Sequence, residues 1–277
     1  MRDPIELYEY PKEWWRKGAE KKIASGLYIL TKDGWIRRGI TTGTTASASL
    51  AAAIASKYEE VDFVSVETPI GLKVNVPVFA KEGVGVARKF SGDHEFDATN
   101  STIFVSKLTK DKKIHFSRGI AFESDFVVSR SAMDQLKRNF EIYSEKYGYD
   151  GGVIIDAYYR KISEKLNGVA ILGTTGFVEP WCDELLKTKI EIAQQYGKIA
   201  ITTGRETWKF AKENFPEYQP FVFGVHIREA LKAHEGEIII VGKPGLLKKI
   251  FGSSESEEIM KKLKSFANVV EVFVCST

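Results

Sequence analysis

The chain has 277 residues, 43% of them hydrophobic and 28% charged, as expected of a globular protein with one large or two medium domains and an ample core. Its 40 basic and 37 acidic residues leave a net charge of +3, too little to argue for nucleic acid by bulk charge, so any attraction for an anion must be local. No apolar run approaches the roughly 20 residues that span a bilayer, the first residues carry no signal-peptide apolar region, and Cys182 and Cys275 stand alone without zinc or disulfide spacing. We expect a cytoplasmic protein with neither nucleic-acid nor membrane partners. The four histidines, His94, His115, His226 and His234, are scattered, and no protein-bound metal is expected.

The first 34 residues read as a preface held to the body by Tyr8, Tyr10, Trp14 and Trp15. Then comes Arg37-Arg38-Gly39-Ile40-Thr41-Thr42-Gly43-Thr44-Thr45, running into a predicted helix of small residues over about 44–58. A helix start leaves N–H groups unpaired and carries a partial positive charge. Threonine hydroxyls add donors, and two guanidiniums add full charges and forked donors. Together they suit a ligand with carboxylates or phosphates. The plainer alternative is a threonine N-cap on a helix that packs closely because its side chains are small.

Strands are predicted over Val61–Thr68, Leu72–Ala80, Gly83–Phe90, Ile103–Leu108 and Ile114–Phe116, with Gly83 and Gly85 marking a bend. A helix over Ser131–Lys146, a strand over Val153–Tyr159 and a short helix ending near Asn167 complete an α+β domain, residues 1–167. From Gly168 the pattern alternates. Predicted strands Val169–Leu172, Ile199–Thr202, Glu237–Val241 and Val269–Val274 alternate with helices, Phe221–Phe223 being a short apolar segment among them. That is an α/β domain, residues 168–277, with a mainly parallel sheet. Ligands of such sheets bind at the carboxyl ends of the strands. Glycine-rich turns follow Leu172, Thr202 and Val241, where glycine admits a ligand to the backbone or simply makes a tight turn.

Four segments resemble the cobalt-precorrin-5B C1-methyltransferases, the CbiD family of anaerobic cobalamin biosynthesis, and its archaeal branch in particular. They are Arg37 to Thr44 with the helix behind it; Gly92-Asp93 with Asp97-Ala98-Thr99-Asn100; Ile171 to Pro180, reading ILGTTGFVEP; and Val241 to Lys249, reading VGKPGLLKK. They keep the family's order and approximate spacing. Thr45 stands where many relatives have cysteine, and Lys243 where histidine is usual. The segment from Phe221 lacks an asparagine common in the family.

The resemblance implies a two-domain CbiD-like fold and methyl transfer from S-adenosylmethionine to C1 of cobalt-precorrin-5B, giving cobalt-precorrin-6A. Cobalt then arrives with the substrate. Arg37, Arg38, Thr41, Thr42, Gly43, Thr44 and Thr45 become candidates for the tetrapyrrole's carboxylates. Gly173, Thr174, Thr175, Gly176, Glu179, Thr203, Gly204, Gly242, Lys243 and Gly245 become candidates for the cofactor. Asp93, Asp97 and Asn100 become candidates to orient the ring or handle a pyrrolic proton, their alternative role being turn capping. The macrocycle is expected between the N-terminal domain and the glycine-rich end of the C-terminal sheet. Two other readings remain: a methyltransferase for another acidic tetrapyrrole, and a non-catalytic corrinoid-binding protein of the same fold. The oligomeric state is open, a homodimer included.

Overall fold

The helix Thr42–Ala55 is buried along all 14 of its residues. A helix with no solvent face can approach its neighbours on every side only if its side chains are small. Its contact with the strand Val84–Arg88 is backbone to backbone: a Cβ on Gly85 would fall 2.2 Å from the Ser49 carbonyl oxygen and 2.3 Å from the Ala53 nitrogen. The expected bend at Gly83 and Gly85 thus resolves into two roles. Gly83, at φ +83°, makes the hairpin turn, and Gly85 admits the helix.

The computed structural model describes residues 1–94, 96–123, 125–159, 168–263 and 267–275. They divide into two units, Ser25–Ile29 with Ile36–Pro180, and Met1–Ala24 with Leu30–Trp35 and Trp181–Thr277. The first holds a six-stranded sheet in the order Phe63–Glu67, Lys73–Lys81, Val84–Arg88, Ile103–Thr109, Gly152–Tyr158, Ile114–Phe116. Its pairs are antiparallel except the last. Helix Arg130–Tyr147 closes the free edge of Phe63–Glu67 with side chains four residues apart. Asn139 bonds both the N–H and the C=O of Glu67, and Tyr143 does the same for Ser65, at 2.8–3.1 Å. An edge strand covered in this way offers no template for a foreign strand.

The second unit holds a four-stranded, wholly parallel sheet in the order Gln219–Val222, Lys198–Thr202, Glu237–Gly242, Val269–Val274. The segment around Phe221, expected only as a short apolar stretch, is its edge strand. The inner strands are nearly continuous apolar runs, as helices on both faces require. In the N-terminal arm Tyr8 and Tyr10 are buried, with Tyr8 stacked on Phe221 at 5.6 Å, and Trp14 is buried too. Trp15 stays exposed. Asp3 holds the arm's bend, accepting from the N–H groups of Ile5 and Glu6 and from the Tyr10 hydroxyl.

Two expectations are corrected. Val169–Leu172 is not a strand of the parallel sheet. Val169 and Ile171 make isolated parallel bridges to Ile120 and Val128, and Phe177–Val178 pairs antiparallel with Gly39–Ile40. Residues 168–180 therefore belong with the first unit, and the division falls after Pro180 rather than after residue 167. The first 24 residues, in turn, fold with the C-terminal unit. The short helix expected before Gly168, and residues 264–266 at the end of the last predicted helix, lie outside the described residues.

Candidate functional site

The helix start is occupied by the chain itself. Thr41 is the N-cap, its Oγ1 accepting from the Thr44 N–H at 3.2 Å. The N–H groups of Gly43 and Thr41 donate to the carbonyls of Leu172 and Gly176, both at 3.0 Å. Thr44 Oγ1 donates to the Gly176 carbonyl at 2.9 Å, and Thr45 Oγ1 to that of Thr41. Thr42 Oγ1 accepts from the Leu172 N–H at 2.8 Å. The segment Leu172–Gly176 thus satisfies donors that the sequence offered to an anion. This contact also explains its glycines. A Cβ on Gly173 (φ +150°) would lie 2.5 Å from Thr41 Oγ1, and one on Gly176 (φ +88°) 2.7 Å from the Thr68 side chain. These glycines permit close packing on the helix start. Thr175 is buried, its hydroxyl bonded to the Phe177 backbone, and Thr174 is exposed.

The two arginines have acidic partners. Arg38 is fully buried, and its Nε lies 2.6 Å from Glu179, with Nη1 3.3 Å from the Gly26 carbonyl. Arg37 is exposed and bonds Asp93 through Nε, Nη2 and its backbone N–H at 2.7–3.1 Å. Each of these pairs joins residues the sequence had assigned to different roles.

Asp97 lies beside a buried cation. Its carboxylate meets the Lys89 ammonium in a close ion pair and accepts from Ser91 and Thr99 hydroxyls at 2.7 and 2.6 Å. Burial alone would raise the Asp97 pKa, but the bonds from Lys89, Thr99 and Ser91 outweigh it and hold the carboxyl far below the usual carboxylate range. A carboxylate so stabilised is a poor proton acceptor at neutral pH, so its geometry suits anchoring Lys89 better than moving a proton. Asn100 is exposed, and its N–H donates to the Asp97 carbonyl.

Lys89, Asp97 and Thr99 border a cleft of about 520 Å³, a size usual for small-molecule sites. Thr41, Thr42, Lys89, Asp97 and Thr99 give it polar groups; Val169, Leu172, Val178 and the strongly exposed Phe96 give it apolar faces. His94 stands at the cleft with Nδ1 accepting from the Phe96 N–H at 3.1 Å. In the neutral ring the proton is then on Nε2, which becomes a donor. Lys89 and Phe96 escaped the sequence reading, and His94 entered it only as one of four scattered histidines. A lone lysine at a strand end carries no pattern; only its nearness to Gly92-Asp93 could have drawn attention to it. No group of three or more His, Cys, Asp or Glu that could hold a metal occurs among the described residues, and no described helix is long and apolar enough to cross a membrane.

The remaining cofactor candidates belong to the parallel sheet. Its strand order reverses between Lys198–Thr202 and Glu237–Gly242, and loops at the carboxyl ends of such a pair form the usual ligand crevice. Thr203-Gly204 and Gly242-Lys243 are those loops. Thr203 Oγ1 accepts from the Lys243 N–H at 3.1 Å, binding one loop to the other, and Lys243 pairs with Glu206. Gly242 is packed against Leu247 and Thr203, whereas a Cβ on Gly204 or Gly245 would meet nothing within 4 Å. Open backbone at Gly204 and Gly245, each at the start of a helix, fits an extended polar ligand lying along the strand ends. Gly173–Gly176 does not follow a strand of this sheet.

A family model described as CbiD matches residues 30–125. A protein of Archaeoglobus fulgidus called cobalt-precorrin-5B C(1)-methyltransferase is 54% identical over 267 residues, covering 92% of this chain and 89% of that one. A protein of Methanococcoides burtonii with the same name is 33% identical over 302 residues, covering 98% and 86%. The crystal structure of the cobalamin biosynthesis protein cbiD from Archaeoglobus fulgidus superposes with a TM-score of 0.93 at 51% identity, over 99% of both chains.

Proposed function

Because this chain belongs to the CbiD family, we propose that it transfers a methyl group from S-adenosylmethionine to C1 of cobalt-precorrin-5B, giving cobalt-precorrin-6A in anaerobic cobalamin synthesis. The observation that carries this reading is the 54% identity to a relative of that name across nearly the whole of both chains. S-adenosylmethionine supplies a methyl already activated as a sulfonium, so the chief demand on the protein is to hold two ligands in line. The chain's own residues suit that demand. No nucleophile is called for, consistent with Thr45 spending its hydroxyl on the Thr41 carbonyl.

We assign the tetrapyrrole, which brings its cobalt, to the cleft around Thr41, Thr42, Lys89 and Thr99. Val169, Leu172 and Val178 offer apolar surface to the ring, and His94 Nε2 offers a donor to its polar rim. Asp97 holds the Lys89 ammonium in place. We assign the cofactor to Thr203, Gly204, Gly242, Lys243 and Gly245, where the loops keep backbone open at Gly204 and Gly245. Arg38 and Glu179 stabilise the segment that carries Pro180 rather than touching either ligand.

Calorimetry with S-adenosylhomocysteine, and separately with a cobalt corrinoid bearing free carboxylates, tests the reading. The enzyme binds both. A protein that only carries corrinoids binds the second and not the first, and that result would overturn the assignment.

A further inference from the structure

A second cavity, of about 540 Å³, lies in the same Ile36–Pro180 unit as the cleft assigned to the macrocycle. Lys89 lines both. The loop that brings Asp97 and Thr99 to the first continues to Asn100 and Ser101 at the second. Nothing in the reading above uses this space. Its walls are apolar at Val76 and Phe90 and polar at Asn75, Asn100, Ser101 and Arg88.

Arg88 is the group that stands out. It ends the strand Val84–Arg88, is exposed, and donates from Nη2 to the Ser101 hydroxyl at 2.9 Å. It makes no ion pair among the described residues, whereas Arg37 is held by Asp93 and Arg38 by Glu179. Ser101 is itself held at φ +64°, a left-handed conformation that side chains seldom adopt, and its N–H donates to the Lys89 carbonyl at 3.1 Å. Such strain persists only where the surroundings impose it. Here it sets a hydroxyl against a guanidinium whose fork is otherwise unopposed by a carboxylate.

We propose that this second cavity takes a carboxylate-bearing arm of the macrocycle, with Arg88 as the residue that recognises the acid. The inference rests on the tetrapyrrole reading of the neighbouring cleft. An acidic macrocycle needs cationic partners, and the two arginines singled out by the sequence already have theirs. A planar guanidinium matches a carboxylate through two parallel bonds. The apolar walls receive the methylene stem, and the amides of Asn75 and Asn100 complete the polar end. Arg88 thereby discriminates between an acidic corrinoid and an amidated one.

The test uses the full chain and two probes, a cobalt corrin with free carboxylates and the same corrin with its carboxylates amidated, titrated by absorbance. Wild type binds the acid more tightly. Arg88→Ala weakens the acid by roughly ten- to a hundredfold and leaves the amide near its wild-type affinity; Arg88→Lys restores part of the loss, since it keeps the charge without the fork. Added salt narrows the preference in wild type. Because Arg88 is exposed, all three proteins melt together, which separates binding from folding. If wild type binds the acid and Arg88→Ala binds it equally well, the arm subsite is wrong and the substrate reading stands. Equal losses for acid and amide likewise remove Arg88 as the reader of the acid. Wild type that binds neither probe overturns the substrate reading together with the subsite.

Discussion

Arg38 and Glu179 are 141 residues apart in sequence and meet at 2.6 Å, with the guanidinium wholly removed from solvent. The pair ties the strand leading into the Thr41 helix start to the segment that ends at Pro180. Breaking a buried ion pair by removing one partner costs about 3–5 kcal/mol. Arg38→Ala is therefore expected to lower the melting temperature by roughly 6–20 °C, read by scanning calorimetry, with smaller losses for Glu179→Gln, which keeps an acceptor. A variant that melts like wild type yet loses corrinoid affinity alone would return Arg38 to the substrate.

Gly176 offers a second stability test. Its φ of +88° and the 2.7 Å approach of a notional Cβ to Thr68 predict that Gly176→Ala loses about 1–3 kcal/mol, measured by urea unfolding. An unchanged unfolding midpoint would mean that the segment is not held against the helix start as described.

The loops of the parallel sheet predict the opposite behaviour. Gly245 has nothing within 4 Å of a notional Cβ and no left-handed φ, so Gly245→Val should fold with nearly native stability. The added side chain would fill the space assigned to the cofactor, and S-adenosylhomocysteine affinity should fall about tenfold or more, a loss of at least about 1.4 kcal/mol. Native affinity in the folded variant would move the cofactor elsewhere.

The contrast between these glycines marks how far the sequence could be read. The Thr42–Ala55 helix was legible because total burial demands small residues, and Ile199–Thr202 and Glu237–Val241 because inner parallel strands are continuous apolar runs. Val169–Leu172 carries the same signal, an apolar run followed by Gly-Thr-Thr-Gly, yet its partners are Ile120 and Val128. Strand partners are chosen across the chain, and no local pattern names them. For the same reason Arg37 and Arg38 looked like free cations, since their acids lie 56 and 141 residues away. The motifs around Thr41 and Asp97, far apart in sequence, border one cleft. What each side chain does there depended on partners such as Lys89, which has no signature of its own.

Asp97 gives a pH signature. Hydrogen bonds from Lys89, Thr99 and Ser91 depress its folded-state pKa against the opposing effect of burial, so its ionised form is favoured by folding. That stability is fully present above the unfolded pKa of about 3.9 and is lost as pH falls through the lower, folded value. Wild type should lose stability on acidification below about pH 4. Asp97→Asn should be less stable at neutral pH and show a shallower acid limb, both read from urea midpoints between about pH 3 and 7. Parallel curves for the two proteins would remove Asp97 from the list of ionised anchors.

A labelled methyl group follows the proposed transfer to C1. Cobalt-precorrin-5B incubated with the protein and S-adenosylmethionine carrying a carbon-13 methyl should yield S-adenosylhomocysteine and a tetrapyrrole with one new labelled methyl at C1, read by mass spectrometry and carbon NMR. A folded protein that binds both ligands but leaves the tetrapyrrole unlabelled, or that places the label at another carbon, would contradict it.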